Sequence, residues 1–138
     1  MRNLTLTQDY IQELSAKTGF KDNGDVDFQN SVLYVDDNDS IVAAIVVGNI
    51  THVPALGKAL PENVKDEKGS AQVLLLYIDN DSSYCNLYNL LSNFLSHLLP
   101  FKILWCNNSE YTSEELLKRL GFQYHINGIT NTYYIMIN

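Results

Sequence analysis

Apolar and polar positions alternate at the start of the chain, and two long apolar runs occupy its middle. RNLTLT (Arg2–Thr7) has a period of two and predicts a first strand. In TQDYIQELSAKTGF, Tyr10, Ile11 and Leu14 form one stripe of a helix. Thr7 or Asp9 can cap its start, and Gly19 suits the position after its end. KDNGDVDFQN is polar and turn-rich, so it reads as a loop. SVLYV and SIVAAIVV flank Asp36–Asp39, which predicts an antiparallel hairpin. AQVLLLYI (Ala71–Ile78) reads as a buried strand.

A helix comes next in SSYCNLYNLLSNFLSHLL. Tyr84, Leu87, Tyr88, Leu91, Phe94, Leu95 and Leu98 have helical spacing and predict one buried face, with both tyrosines in the core. Asp81, Ser82 or Ser83 can cap its start, and Pro100 marks its end. FKILWC is a short strand. TSEELLKRLGF is a compact helix with a capping box of Thr112 and Glu115, closed by Gly121. The tail gives two strands around a turn at Asn127-Gly128. Asn49–Ser70 is long for a hairpin loop and suggests a lid, a short helix or a substrate-contacting excursion. The expected order is β-α-β-β-β-α-β-α-β-β, a mixed sheet with helices packed on it, in one domain over residues 1–138.

Composition narrows the function. The 138 residues are 46% hydrophobic and 18% charged, a globular balance. A net charge of −7 with scattered basic residues argues against nucleic acid and anionic membrane surfaces as partners. No apolar stretch approaches a membrane span and no targeting segment is visible, so a cytoplasmic setting is expected. Cys85 and Cys106 lack C-x-x-C spacing and read as reduced thiols. His52, His97 and His125 lie far apart without metal-ligand spacing. The acidic turn at Asp36 fails the calcium-loop pattern, because Ile41 stands where glycine is needed.

Between the strand Ala71–Ile78 and its helix lie only Asp79–Ser83. Such a junction is where α/β proteins hold cofactor phosphates on the amides of a helix start. This order of elements, with the closing ELLKRLGF segment, resembles the GCN5-related N-acetyltransferase (GNAT) superfamily over nearly the whole chain. The resemblance implies an α/β (α+β) fold, a central mixed sheet of six to seven strands flanked by three to four helices. It implies acyl transfer from acetyl-CoA or another acyl-CoA to an amine of a small molecule or protein. A homodimer is a family tendency.

The resemblance also assigns residues. The family's pyrophosphate turn reads roughly Arg/Gln-x-x-Gly-x-Gly/Ala; here Ser83, Asn86 and Tyr88 stand at its three marked positions, so the turn is degenerate. The expected CoA contacts are Tyr77, Ile78, Ser83, Tyr84, Asn86, Leu87 and Tyr88, made largely through main-chain amides. Leu117 stands where many members carry a tyrosine that protonates the leaving thiolate. Tyr111 is the expected acid instead, with Tyr124 the other nearby phenol. The strand lacks the family's glutamate base, and Asp79 at its end could serve through water. These departures leave an alternative: a non-catalytic GNAT-like module that binds a partner protein or peptide, its cleft closed by side chains.

Overall fold

A computed structural model describes residues 2–48, 70–97, 103–107, 112–124 and 132–136. The expected excursion at Asn49–Ser70 falls almost entirely outside the described residues; only Ser70 is described, as the first residue of a strand. The elements run β1 (Arg2–Thr5), α1 (Gln8–Thr18), β2 (Val32–Val35), β3 (Ile41–Val47), β4 (Ser70–Ile78), α2 (Tyr84–His97), β5 (Ile103–Asn107), α3 (Glu114–Arg119), β6 (Gln123–Tyr124) and β7 (Thr132–Met136). A 3-10 turn, Asp81–Ser83, leads into α2. Among the described residues the strands form one seven-stranded mixed sheet in the order β1-β2-β3-β4-β5-β7-β6. This is the order of elements and the fold class expected from the sequence.

Every residue of β3 is buried, because both faces of the sheet are covered. On one face α1 sets Ile11 and Leu14 against Leu33, Ala44, Val46 and Leu75. On the other, Leu87, Leu90 and Leu91 of α2 and Leu117 and Leu120 of α3 meet Ala43, Ile45, Val73 and Leu76. A fully covered side chain of this size contributes about 1.5–3 kcal/mol. Two glycines close helices in the left-handed region that disfavours a Cβ: Gly19 at φ 80° after α1, and Gly121 at φ 98° after α3.

The β2–β3 hairpin turns where the sequence places it. The Asp36 carboxylate accepts from the amides of Asn38 and Ser40, the role for which Asp and Asn are favoured in turns. In the tail, β7 is not an edge: it lies between β5 and the two-residue β6. Its turn at Asn127-Gly128 lies outside the described residues.

β4 determines the shape of the site. Its antiparallel pairing with β3 runs from Val47↔Val73 to Ala43↔Ile78, with Leu74 inserted as an extra residue between the Val73 and Leu75 pairs. On its other side, among the described residues, β4 pairs in parallel with β5 only at Ser70↔Ile103, Ala71↔Leu104 and Gln72↔Trp105. Beyond that point β5 continues to Asn107 against β7, while β4 continues to Ile78 against β3. The two parallel strands therefore part after Gln72↔Trp105, just before the bulge, and the cleft lies along that edge of β4.

Candidate functional site

Alternation decides which β4 groups face the cleft. Asp79 N–H bonds the Val42 carbonyl across the β3 seam at 3.0 Å. Antiparallel pairs alternate, so Tyr77 also turns its main chain toward β3, and Leu76 and Ile78 turn theirs away, into the cleft. Leu76 N–H is already taken: it donates to Thr112 Oγ1 at 3.1 Å, in a buried contact. Thr112 itself is fully buried. The capping-box pattern assigned Thr112 to the start of α3. Ser113 caps that helix instead, its hydroxyl accepting from Leu116 N–H at 3.1 Å.

A cavity of about 280 Å³ is lined by Ile78, Asp81, Ser113, Glu115, Leu116 and Arg119. It joins the end of β4, the turn before α2 and the exposed side of α3. A second contact spans α2 and α3 beside it. The Tyr84 phenol donates to the Arg119 carbonyl at 2.7 Å, and the Arg119 guanidinium stands 3.7 Å from the Tyr84 ring centre. That stacking is a cation–π contact worth about 0.5–1 kcal/mol at an exposed site.

The turn before α2 is more internally bonded than the sequence suggested. Asp81, Ser82 and Ser83, the expected caps of α2, form a 3-10 turn ahead of its first residue Tyr84, and Asn80 caps that turn. The Asn80 side chain accepts from Ser82 N–H at 2.9 Å, and its carbonyl accepts from Ser83 N–H at 3.0 Å. The buried Ser83 hydroxyl donates to the Asp79 carboxylate. Asp79 and Asp81, both exposed, bracket the turn with negative charge.

Only some of the residues expected to act come together. Ile78 and Asp81 line the cavity, and Tyr84 bonds Arg119, another residue of its lining. Tyr77 points to the opposite face, packed with the α1 core. Burial raises its phenol above the ordinary value, the carboxylates of Asp79 and Glu13 add to this and Lys17 opposes it, so it stays protonated at neutral pH. Leu87 is fully buried in the α2 core. Leu87 and Tyr88 sit far enough into α2 for their amides to bond carbonyls four residues back. Asn86 is half-buried on the same turn. Tyr88 is not in the core: it is 50% exposed, and its ring lies tilted at 6.3 Å from that of Tyr84. The burial of Leu90 shifts the centre of the stripe away from Tyr88. Leu117 is a packing residue with no exposed surface. Tyr111 lies outside the described residues, as do the side chains of Tyr124 and Cys106.

Thr112, Ser113, Glu115 and Arg119 were not singled out as site residues from sequence. The signal was weak, since α3 reads simply as a well-charged surface helix. Its carboxylate Glu114 is held below the usual range by a hydrogen bond from Tyr133 on β7, and then by Lys118 at 2.9 Å. The Tyr133 bond and the buried Leu117 hold α3 on the sheet, while the Lys118 pair lies within the helix.

No protein-family model matches the sequence, and no curated protein does. Solved structures do match. An aminoglycoside 6'-acetyltransferase type Ii superposes with a TM-score of 0.62 at 12% identity, covering 100% of this chain and 98% of that one. A GNAT-family acetyltransferase from Staphylococcus aureus Mu50 gives 0.59 at 12% identity, covering 99% of each chain. A GNAT-family N-acetyltransferase from Escherichia coli, solved in complex with CoA, gives 0.54 at 10% identity, covering 97% of this chain and 71% of that one. With its bulged, parting β4 and the helix after it, the chain has the fold of the GNAT acetyltransferases.

Proposed function

We propose that the protein is an acyl-CoA-dependent N-acyltransferase whose pyrophosphate turn is degenerate. The observation that carries this reading is the end of the β4–β5 pairing at Gln72↔Trp105, beyond which Leu76 and Ile78 turn their main chain away from β3, with Ile78 lining a cavity shared with α3. An extended pantetheine chain fits such an edge as an added strand would, through main-chain donors and acceptors. One fold neighbour was solved in complex with CoA, which supports the same ligand here.

The residues present divide the work. Leu76 N–H is the donor aimed where a thioester oxygen would develop charge. Ile78 holds the edge of the pantetheine path. Amides of Asp81–Ser83 receive the diphosphate once Asn80 gives them up, and Arg119 is the cation beside them. Asp79, through water, takes the proton of the attacking amine. Thiolate protonation is assigned to Tyr111 on the sequence alone. Asp79, Asp81 and Glu115, in a chain of net charge −7, favour an acceptor that arrives as a cation, on a small molecule or a protein. The acyl group is read as acetyl and the setting as cytoplasmic. Among the described residues no helix is long and apolar enough to cross a membrane.

A second reading has its own observation. Thr112 occupies Leu76 N–H, and Asn80 occupies two turn amides, as in a module whose cleft has been closed for a purely structural or partner-binding role. Calorimetric titration with CoA and acetyl-CoA separates the two. The acyltransferase reading expects saturable binding of both at micromolar to millimolar ligand. Absence of heat up to several millimolar, in a folded protein, returns the chain to the non-catalytic reading.

A further inference from the structure

We infer that Arg119, laid against the Tyr84 ring, is the main holder of the coenzyme's diphosphate, ahead of the amides of the turn before α2. The inference deepens the acyltransferase reading and rests on it.

That turn has little left to offer an anion. Ser82 N–H is bonded to the Asn80 side chain, Ser83 N–H to the Asn80 carbonyl and Tyr84 N–H to the Asp81 carbonyl. Three successive amides at the entry to the helix are thus committed inside the turn. The carboxylates of Asp79 and Asp81 beside them are exposed and repel phosphate. The stronger donor is a side chain: among the described residues that line the cavity, Arg119 is the one cation.

Arg119 is also kept available. It lies four residues after Glu115, a spacing that suits an ion pair of the kind Lys118 makes with Glu114 at 2.9 Å. Among the described residues Arg119 makes no such pair, with Glu115 or with Asp81, although all three line one cavity. Its guanidinium stands instead 3.7 Å from the centre of the Tyr84 ring, and the Tyr84 phenol donates to the Arg119 carbonyl at 2.7 Å. One tyrosine therefore holds both ends of the residue. A stacked guanidinium keeps its N–H donors at its edge, in the fork that matches two phosphate oxygens. Arg119 is exposed as well as stacked, so a ligand has access to it. Ile78 from the end of β4 and Asp81 from the turn share the cavity, which is where the acyltransferase reading brings the diphosphate.

Calorimetry with CoA and with dephospho-CoA, which keeps the diphosphate and lacks the phosphate on the ribose, tests this. Arg119→Gln should weaken both ligands about tenfold or more, the worth of one charge-assisted contact. Arg119→Lys keeps the charge, loses the fork and should weaken both by less. Glu115→Gln removes an opposing charge and leaves Arg119 in place, so it should tighten both by about twofold to threefold, an effect that a purely structural Arg119 would not produce. Tyr84→Leu should weaken both ligands in the wild type and add little to Arg119→Gln, because the ring acts through the guanidinium. Should Tyr84→Leu fail to fold, the exposed positions 115 and 119 carry the test alone. Unchanged CoA affinity in Arg119→Gln overturns the inference, while CoA binding to the wild type upholds the acyltransferase reading. Weaker binding of CoA alone, with dephospho-CoA unaffected, moves Arg119 to the ribose phosphate and overturns its assignment to the diphosphate. Failure of the wild type to bind CoA overturns both.

Discussion

The two edges of β4 belong to the same nine residues, yet they are built in different ways. Toward β3 the strand is paired along its length past the bulge, and Asp79 extends the ladder by one more bond. Toward β5, among the described residues, the pairing stops at Gln72, and beyond it the Thr112 hydroxyl accepts from Leu76 N–H. Main-chain ladders are local, cooperative and permanent in a native sheet. Side-chain closures can open one at a time. One buried strand thus carries a main-chain ladder on one edge and, beyond Gln72, a side-chain contact on the other.

The largest effect should come from the closed edge. Leu75→Ala removes a fully buried side chain facing α1, and should destabilise by about 2–5 kcal/mol in chemical denaturation. A loss under about 1 kcal/mol would mean that this half is less tightly packed than its burial implies.

A smaller effect is expected where α3 is tied to the sheet. The hydrogen bond from Tyr133 holds the Glu114 carboxyl below its ordinary value of 4.5. A carboxyl depressed in the folded state adds stability that is present above the unfolded value, and that stability is lost as pH falls through the folded one. Tyr133→Phe should therefore lower Tm at neutral pH by less than Leu75→Ala does. The gap to wild type should narrow as pH falls below about 4.5, the unfolded carboxyl value. A gap that stays constant down to pH 3 would show that Glu114 is not the partner that matters.

The smallest change belongs to the cleft mouth. Tyr88→Ala, at a half-exposed ring, should leave stability within about 0.5 kcal/mol. If the variant unfolds instead, Tyr88 is a core residue after all and the position of the α2 stripe is misassigned.

Much of the architecture is written in local periodicity. The hairpin of β2 and β3, the apolar run of β4 and the glycine after each of α1 and α3 are signals that need only near neighbours, so the order of elements and the helix ends are legible from them. What escaped the sequence is non-local or degenerate. TSEE offers both Thr112 and Ser113 as a helix cap, and only the distant Leu76 amide decides between them. Asp81, Ser82 and Ser83 were the candidates for the start of α2, and they form instead a 3-10 turn, capped by Asn80, that precedes it. Tyr84 and Tyr88 lie on one helical stripe, but the packing of Leu87, Leu90 and Leu91 centres the buried face away from Tyr88. The site was legible as a place, the strand-turn-helix junction. Which amides are open and which are covered depends on side chains that meet across 30 or more residues.

Amide chemical shifts during a titration with acetyl-CoA test the acyltransferase reading most directly, because β4 carries its own control. Leu76 and Ile78, which face the cleft, should shift and saturate, while Leu75 and Tyr77, which face β3, should move far less. Unchanged Leu76 and Ile78 signals at several millimolar ligand, or equal shifts along the whole strand, would contradict it.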